Sequence, residues 1–194
     1  MAISKSPSNS QAPPKPQSFV IDLSEIRRRA REHMERGAVT QSNTKDLETT
    51  LKLLNEALAT EIVCTLRYKR HYYTAKGIHK ESVAAEFAAH AQEEQEHADL
   101  IAERITQLGG SPNFNPEGLA ARSSSEYNEP DDLREMIREN LVAERIAIET
   151  YSEMIRFFAD ADPTSRRLIE TILAVEEEHA NDMADLLEAH GTKS

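Results

Sequence analysis

The sequence predicts an all-α protein: a four-helix bundle of two antiparallel hairpins joined by a long crossover, with an N-terminal arm and a short extra helix before it. Four stretches of about 27 to 32 residues carry apolar side chains at helical spacing. Clear stop and start signals separate them, and little of the chain alternates with the period of a strand.

Each element has a local reason. Residues 1–19 are rich in Ser and Pro with little to bury, so a disordered arm is expected. Residues 20–43 hold a short helix and a linker. Asp22 and Glu25 fit a capping box, Leu23, Ile26, Ala30 and Met34 form a stripe, and Gly37 ends a helix expected to be peripheral.

Residues 44–194 are the bundle. Its first long helix is expected from about Lys45 to Lys76, entered through Ser42, Asn43 and Thr44 and ended by Gly77. Leu47, Leu51, Leu54, Leu58, Glu61, Thr65, Tyr68 and Tyr72 make its stripe. The second covers about Glu81 to Leu108 before Gly109 and Gly110, with Val83, Phe87, His90, Glu94, His97, Ile101 and Ile105 on one face. The third runs from near Pro130, with Asn128 as a cap, to about Ala159. It aligns Leu133, Ile137, Leu141, Glu144, Ile148, Tyr151, Ile155 and Phe158. The fourth starts at Asp162 with Pro163 in the first helical position, and Gly191 follows its end. Its inner face is Ile169, Ile172, Glu176, His179, Met183 and Leu186.

Helices of about 40 to 48 Å at 1.5 Å per residue are matched in length and suit a bundle. Short breaks around Gly77, Ile78 and His79 and around Asp160, Ala161 and Asp162 make two hairpins. The segment from Gly109 to Glu129 is long enough to travel the length of the bundle and is expected to be an open crossover.

Composition narrows the function. A lone Cys64 excludes an internal disulfide framework, a four-cysteine iron site and a zinc ribbon within one chain. No run of eighteen apolar residues exists and the polar N-terminus shows no secretory signal, so no membrane association and a cytoplasmic address are expected. A formal charge of −11 suits cations rather than nucleic acid. The basic run from Arg27 is expected to be a solvated face; DNA binding is not expected, and the N-terminal arm is the segment that could carry it.

The chemistry lies where glutamate replaces leucine. Glu61, Glu94, Glu144 and Glu176 fall on the four apolar stripes, where an unpaired carboxylate costs several kcal/mol. No Lys or Arg shares those stripes, so metal is expected as the missing charge. With 25 glutamates, one Glu three positions ahead of a His is a chance event; here Glu94 precedes His97 and Glu176 precedes His179. The spacing also repeats. Glu61 is followed by Tyr68 at 7 residues and by Glu94 at 33; Glu144 is followed by Tyr151 at 7 and by Glu176 at 32. The hairpins would present matching ligands about a pseudo-two-fold axis along the bundle. Residues three apart face the same way on a helix. Four glutamates and two histidines would neutralise two divalent ions, and oxygen-rich ligation with one imidazole each suits iron or manganese.

Other residues divide by their setting. Glu93, Glu96, Glu177 and Glu178 are expected on a solvated face, with a supporting role behind the metal ligands as the alternative. Tyr68 and Tyr151 are either core tyrosines or hydrogen-bonding or redox partners near the metals. His90 is expected as a core histidine and Cys64 as a small buried thiol.

The motifs LATEIVCTLRY, EEQEHADLIAERITQLGGSPN, ENLVAERIAIETY and LAVEEEHANDM resemble the bacterioferritin branch of the ferritin-like superfamily, over about Lys45 to Ala189. The resemblance implies a ferritin-like fold with Glu61 and Glu144 as terminal chelators, Glu94 and Glu176 as bridges, and His97 and His179 as terminal nitrogen ligands. It implies two iron ions per subunit, with manganese as the alternative. Gln95 stands where bacterioferritin has its haem methionine, so haem is not expected. The chain ends fifteen residues after His179, so the fifth helix is expected to be missing. A long arm without that helix resembles the Dps-like subgroup with a bacterioferritin-type site, which implies a homo-oligomeric shell of twelve subunits. The implied function is a ferroxidase that oxidises Fe(II) with O2 or H2O2 and stores or detoxifies iron. The alternative is a di-iron or di-manganese peroxidase or catalase of rubrerythrin-like type.

Overall fold

Aspartates start three of the four bundle helices. In a computed structural model that describes residues 20–41, 46–77 and 80–189, Asp46 caps α2 (Leu47–Thr74) by accepting from the Thr49 amide at 3.3 Å. Helix α3 spans Lys80–Gln107. Asp132 caps α5 (Leu133–Phe158), accepting from the Arg134 and Glu135 amides at 3.0 and 3.1 Å. Asp162 accepts from the Ser165 amide at 3.0 Å where α6 (Pro163–Ala189) begins. Each oxygen satisfies an amide that the first helical turn leaves without a partner. The expected arm at 1–19, the residues 42–45 before α2, Ile78 and His79 between α2 and α3, and Gly191 lie outside the described residues.

Two shorter elements differ from expectation. Helix α1 spans only Leu23–Arg29, capped by Asp22, and a separate 3-10 turn covers Met34–Arg36. Its apolar residues Leu23, Ile26 and Met34 stay exposed, so the stripe joins no core. The crossover contains a one-turn helix, α4 (Leu119–Arg122). Asn128 does not cap α5; its amide donates to Glu139 instead.

The crossover decides the topology. Gly110 starts it, with its amide donating to the Ile105 carbonyl at 2.9 Å. A Cβ there would lie 2.5 Å from Leu51 Cδ2, so a larger residue would make Leu51 move where the strap passes α2. It then climbs along α2: Asn55 Oδ1 accepts from the Asn113 amide at 2.8 Å, Thr60 Oγ1 from the Ser124 amide at 2.9 Å, and Arg67 Nη1 donates to the Glu126 carbonyl at 3.1 Å. The chain therefore enters α5 at the end where α2 stops, and α5 runs antiparallel to α2. The pseudo-two-fold axis relating the hairpins consequently lies across the bundle, not along it as the spacing alone suggested.

Helix α2 packs most extensively on α3, and α5 on α6. One apolar cluster includes Leu54, Leu58, Ile101, Ile105, Phe158, Ile169 and Ile172. A second includes Tyr68, Val83, Phe87, Met136, Ile137 and Met183. The glutamates of the repeat sit between them. The fold is a ferritin-like four-helix bundle. Among the described residues, no helix is long and apolar enough to cross a membrane.

Two inner-face expectations are corrected. Tyr72 is exposed while His71 is fully buried, and Arg67, absent from the expected stripe, is buried as well. A stripe counted in steps of four and three drifts about 20° per heptad from a 3.6-residue helix, enough over this length to bring the neighbouring position inward.

Candidate metal centre

The structure brings Glu61 from α2, Glu94 and His97 from α3, Glu144 from α5, and Glu176 and His179 from α6 to one point, all buried. Their donor atoms form two overlapping groups: Glu61, Glu94, His97 and Glu176, and Glu94, Glu144, Glu176 and His179. His97 Nδ1 lies 2.9 Å from Glu176, 3.4 Å from Glu61 and 3.9 Å from Glu94. His179 Nδ1 lies 3.6 Å from Glu94, 3.8 Å from Glu176 and 3.9 Å from Glu144. Glu94 and Glu176 belong to both groups, each with one oxygen near either imidazole. The imidazole centroids are 6.2 Å apart.

This donor set fits a pair of divalent cations. Glu61 Oε2, Glu94 Oε1, His97 Nδ1, Glu144 Oε2, both Glu176 oxygens and His179 Nδ1 are buried without a hydrogen-bond partner. Buried polar atoms are otherwise almost always satisfied, so at least one unsatisfied atom on each of six converging side chains is what bound cations would satisfy. Carboxylate oxygens with one imidazole per set match iron or manganese better than a thiol-seeking metal.

Protons carry the balancing charge when metal is absent. Burial pushes Glu61 and Glu176 well above the usual carboxylate range, helped by the charge of Glu94 beside them. Burial and Glu94 also raise Glu144. Burial opposes the Glu94 charge too, yet hydrogen bonding with Glu61, His179 and His97 holds that carboxyl below its usual range. Burial disfavours both imidazolium ions, but Glu176, Glu61 and Glu94 push His97 up to about 12. Glu94 and Glu144 likewise push His179 up to about 9.

The surrounding residues orient the donors. Tyr68 donates its hydroxyl proton to Glu144 Oε1, and Tyr151 donates to Glu61 Oε1. Both tyrosines are thus hydrogen-bonding partners. Glu93 is exposed, as expected of a solvated face, and it also places Oε2 2.7 Å from His179 Nε2. With a metal ion bound, that contact would keep Nε2–H as the donor and leave the Nδ1 lone pair for the ion. Only the adjacency of Glu93 to Glu94 hinted at this role. The equivalent position before Glu176 is Val175, so the two halves are not identical.

No Lys or Arg lies on the stripes, as expected, but Arg67 beside the stripe of α2 is fully buried. Its guanidinium donates to Asn140 Oδ1 at 2.9 Å, the Glu126 carbonyl at 3.1 Å and Cys64 Sγ at 3.4 Å. It makes no hydrogen bond to the clustered carboxylates, so their charge remains to be balanced. Cys64 is buried and burial pushes its thiol well up, as expected for a packing residue. His90 is a core histidine, with Nδ1 3.1 Å from the Tyr68 hydroxyl and its ring stacked 3.9 Å from that of His179. Burial and then the charge of His179 push its imidazole down to about 4.

Residues 51–190 match the ferritin-like domain. A bacterioferritin of Mycobacterium tuberculosis is 30% identical over 139 residues, covering 71% of this chain and 83% of its own. A nutrient stress-induced DNA-binding protein of Nostoc sp. is 30% identical over 138 residues, covering 69% and 74%. Among solved structures, the dodecameric thioferritin of Bacteroides fragilis, described as a bacterioferritin-related protein, is 34% identical. It superposes with a TM-score of 0.72 over 74% of this chain and 87% of that one. The bundle, its crossover and this match over most of the chain agree: the protein belongs to the ferritin-like family.

Proposed function

We propose that this protein is a ferroxidase that oxidises Fe(II) with O2 or H2O2 at a dinuclear site within each subunit, and stores or detoxifies the iron inside a homo-oligomeric shell. One observation carries the proposal: two donor groups share Glu94 and Glu176 and contain every buried glutamate of the repeat. Two substrate ions held this way would each give up one electron. With peroxide, two Fe(II), one H2O2 and two protons yield two Fe(III) and two waters.

The residues have distinct roles in this scheme. Glu94 and Glu176 hold the ions side by side, Glu61 and Glu144 close the outer positions, and His97 and His179 supply the nitrogens. Tyr68, Tyr151 and Glu93 keep the donors in place, as hydrogen bonds behind a ligand do. Apolar packing by Leu58, Ile101 and Ile172 keeps bulk water from one side. The bacterioferritin relatives support iron as the substrate, and the dodecameric relative supports a shell.

Anaerobic Fe(II) titration tests the proposal. Tight binding is expected to require Glu94 and Glu176, and the Glu94→Ala, Glu176→Ala variant should lose the paired ions; unchanged saturation overturns the assignment. Light-scattering mass with iron content after aerobic loading separates storage from simple redox turnover. A small oligomer holding only about two irons per chain argues against storage. Purified manganese with rapid oxygen release from peroxide favours the catalase alternative. A gel shift at low salt, with and without residues 1–36, tests for DNA contact.

A further inference from the structure

The repeat that builds the paired site is broken at one mouth only. His90 and Glu93 of α3 group with His179, and His90 groups in turn with Glu86 of α3 and Asp182 of α6. Counted by the same offsets from the second half of the repeat, the counterparts of Glu86, His90, Glu93 and Asp182 are Leu168, Ile172, Val175 and Leu100. One end of the centre is therefore apolar, and the other carries three carboxylates and an imidazole. Packing and ligation of the paired ions do not need this difference, since the apolar half closes well with Ile172 fully buried.

Proton accounting at His90 shows what the polar end is built for. Tyr68 has a single hydroxyl proton, which it donates to Glu144. With Glu144 ionised, as a metal ligand would be, the 3.1 Å contact of Tyr68 with His90 Nδ1 runs the other way, with Nδ1–H donating to the phenol oxygen. The second nitrogen, Nε2, keeps its lone pair. That atom belongs to an imidazole only 2% exposed, yet it faces Glu86 Oε1 at 3.3 Å and Asp182 Oδ2 at 3.5 Å and makes no hydrogen bond among the described residues. Two carboxylates and a buried imidazole nitrogen thus converge from two helices, their donor atoms all within 4.8 Å of one another.

We propose that Glu86, His90 and Asp182 form a separate mononuclear site for a divalent cation at the mouth of the paired centre. One nitrogen and two carboxylates suit Fe(II), Mn(II) or Zn(II), and leave remaining positions for water. Glu86 and Asp182 are about two-fifths exposed, so the site opens to the surface and can load from solution. Glu93 lies between the outer and paired sites, because its carboxylate shares a donor cluster with both His90 and His179. The ion at the mouth and the paired ions thereby touch the same chain of side chains, and the outer site stands whatever chemistry the paired site performs.

The experiment is an anaerobic titration of the full-length, metal-stripped protein with Co(II), followed by visible absorption and calorimetry. About three ions per subunit are expected for the native chain. Glu86→Gln with Asp182→Asn should lose about one of them while keeping the paired ions. Both substitutions sit on the half-exposed rim, and thermal unfolding of the metal-free variant checks that its fold is intact. Glu94→Ala with Glu176→Ala should keep the outer ion and lose the pair. If the rim variant binds as many ions as the native chain, with the same affinities and spectrum, the outer site is overturned. If the rim variant loses one ion but the Glu94, Glu176 variant loses none, the outer site stands and the paired assignment fails.

Discussion

Tyr151 on α5 donates its hydroxyl proton to Glu61 on α2, while Tyr68, seven residues beyond Glu61, donates to Glu144, seven residues before Tyr151. The exchange is possible only because the two helices run antiparallel, and it ties the hairpins together through the carboxylates of the site.

Removing either phenol should loosen a ligand without removing it. Tyr151→Phe is expected to weaken anaerobic Fe(II) binding by about 10- to 100-fold, the usual range for a hydrogen bond behind a metal ligand. Tyr68→Phe should cost more, since His90 Nδ1 loses its partner as well. Affinities equal to those of the native chain would rule out an orienting role.

The metal-free fold carries the cost of function. Glu61→Leu with Tyr151→Phe replaces a buried polar pair by apolar groups, while His97 keeps Glu176 at 2.9 Å. Such replacements are often stabilising by about 1 to 4 kcal/mol. The metal-free double variant should therefore melt higher than the native chain while Fe(II) binding falls. A lower melting temperature would show that the pair stabilises the empty bundle.

Metal loading should release protons. His97 and His179 hold theirs to pH values of about 12 and about 9, and Glu61 and Glu176 are raised well above the ordinary range. Two divalent ions replace the charge of about four protons at neutral pH, and binding should tighten as pH rises toward 9. Calorimetry of Zn(II) binding in buffers of different ionisation enthalpy counts them. A release near zero would contradict the charge balance.

His71 should give the bundle an acid sensitivity unrelated to metal. Burial, then the charge of Arg67, pushes its imidazole from 6.5 down to about 4. The unfolded chain therefore binds the extra proton between these values and the folded chain does not. Its contribution is complete above pH 6.5 and is lost as pH falls toward 4, by up to about 3 kcal/mol. In metal-free protein, His71→Gln should flatten the fall in denaturation midpoint over that range. An unchanged slope would place the sensitivity elsewhere.

Much of this protein was determined within single helices. Positions three and four apart share a face whatever lies around them, so the stripes that carry Glu61, Glu94, His97, Glu144, Glu176 and His179 were legible in the linear chain. Caps at Asp22 and Asp162 were equally local. Relationships between helices were not. The direction of α5, and with it the axis across the bundle, follows from the crossover bound along Asn55, Thr60 and Arg67. Glu93 gains its role from an imidazole 86 residues away, and Arg67 and His71 face inward because a long helix drifts off a seven-residue count. Helical spacing determines which residues share a face. Only packing decides which faces meet, because the contacts that fix it join positions far apart in the chain.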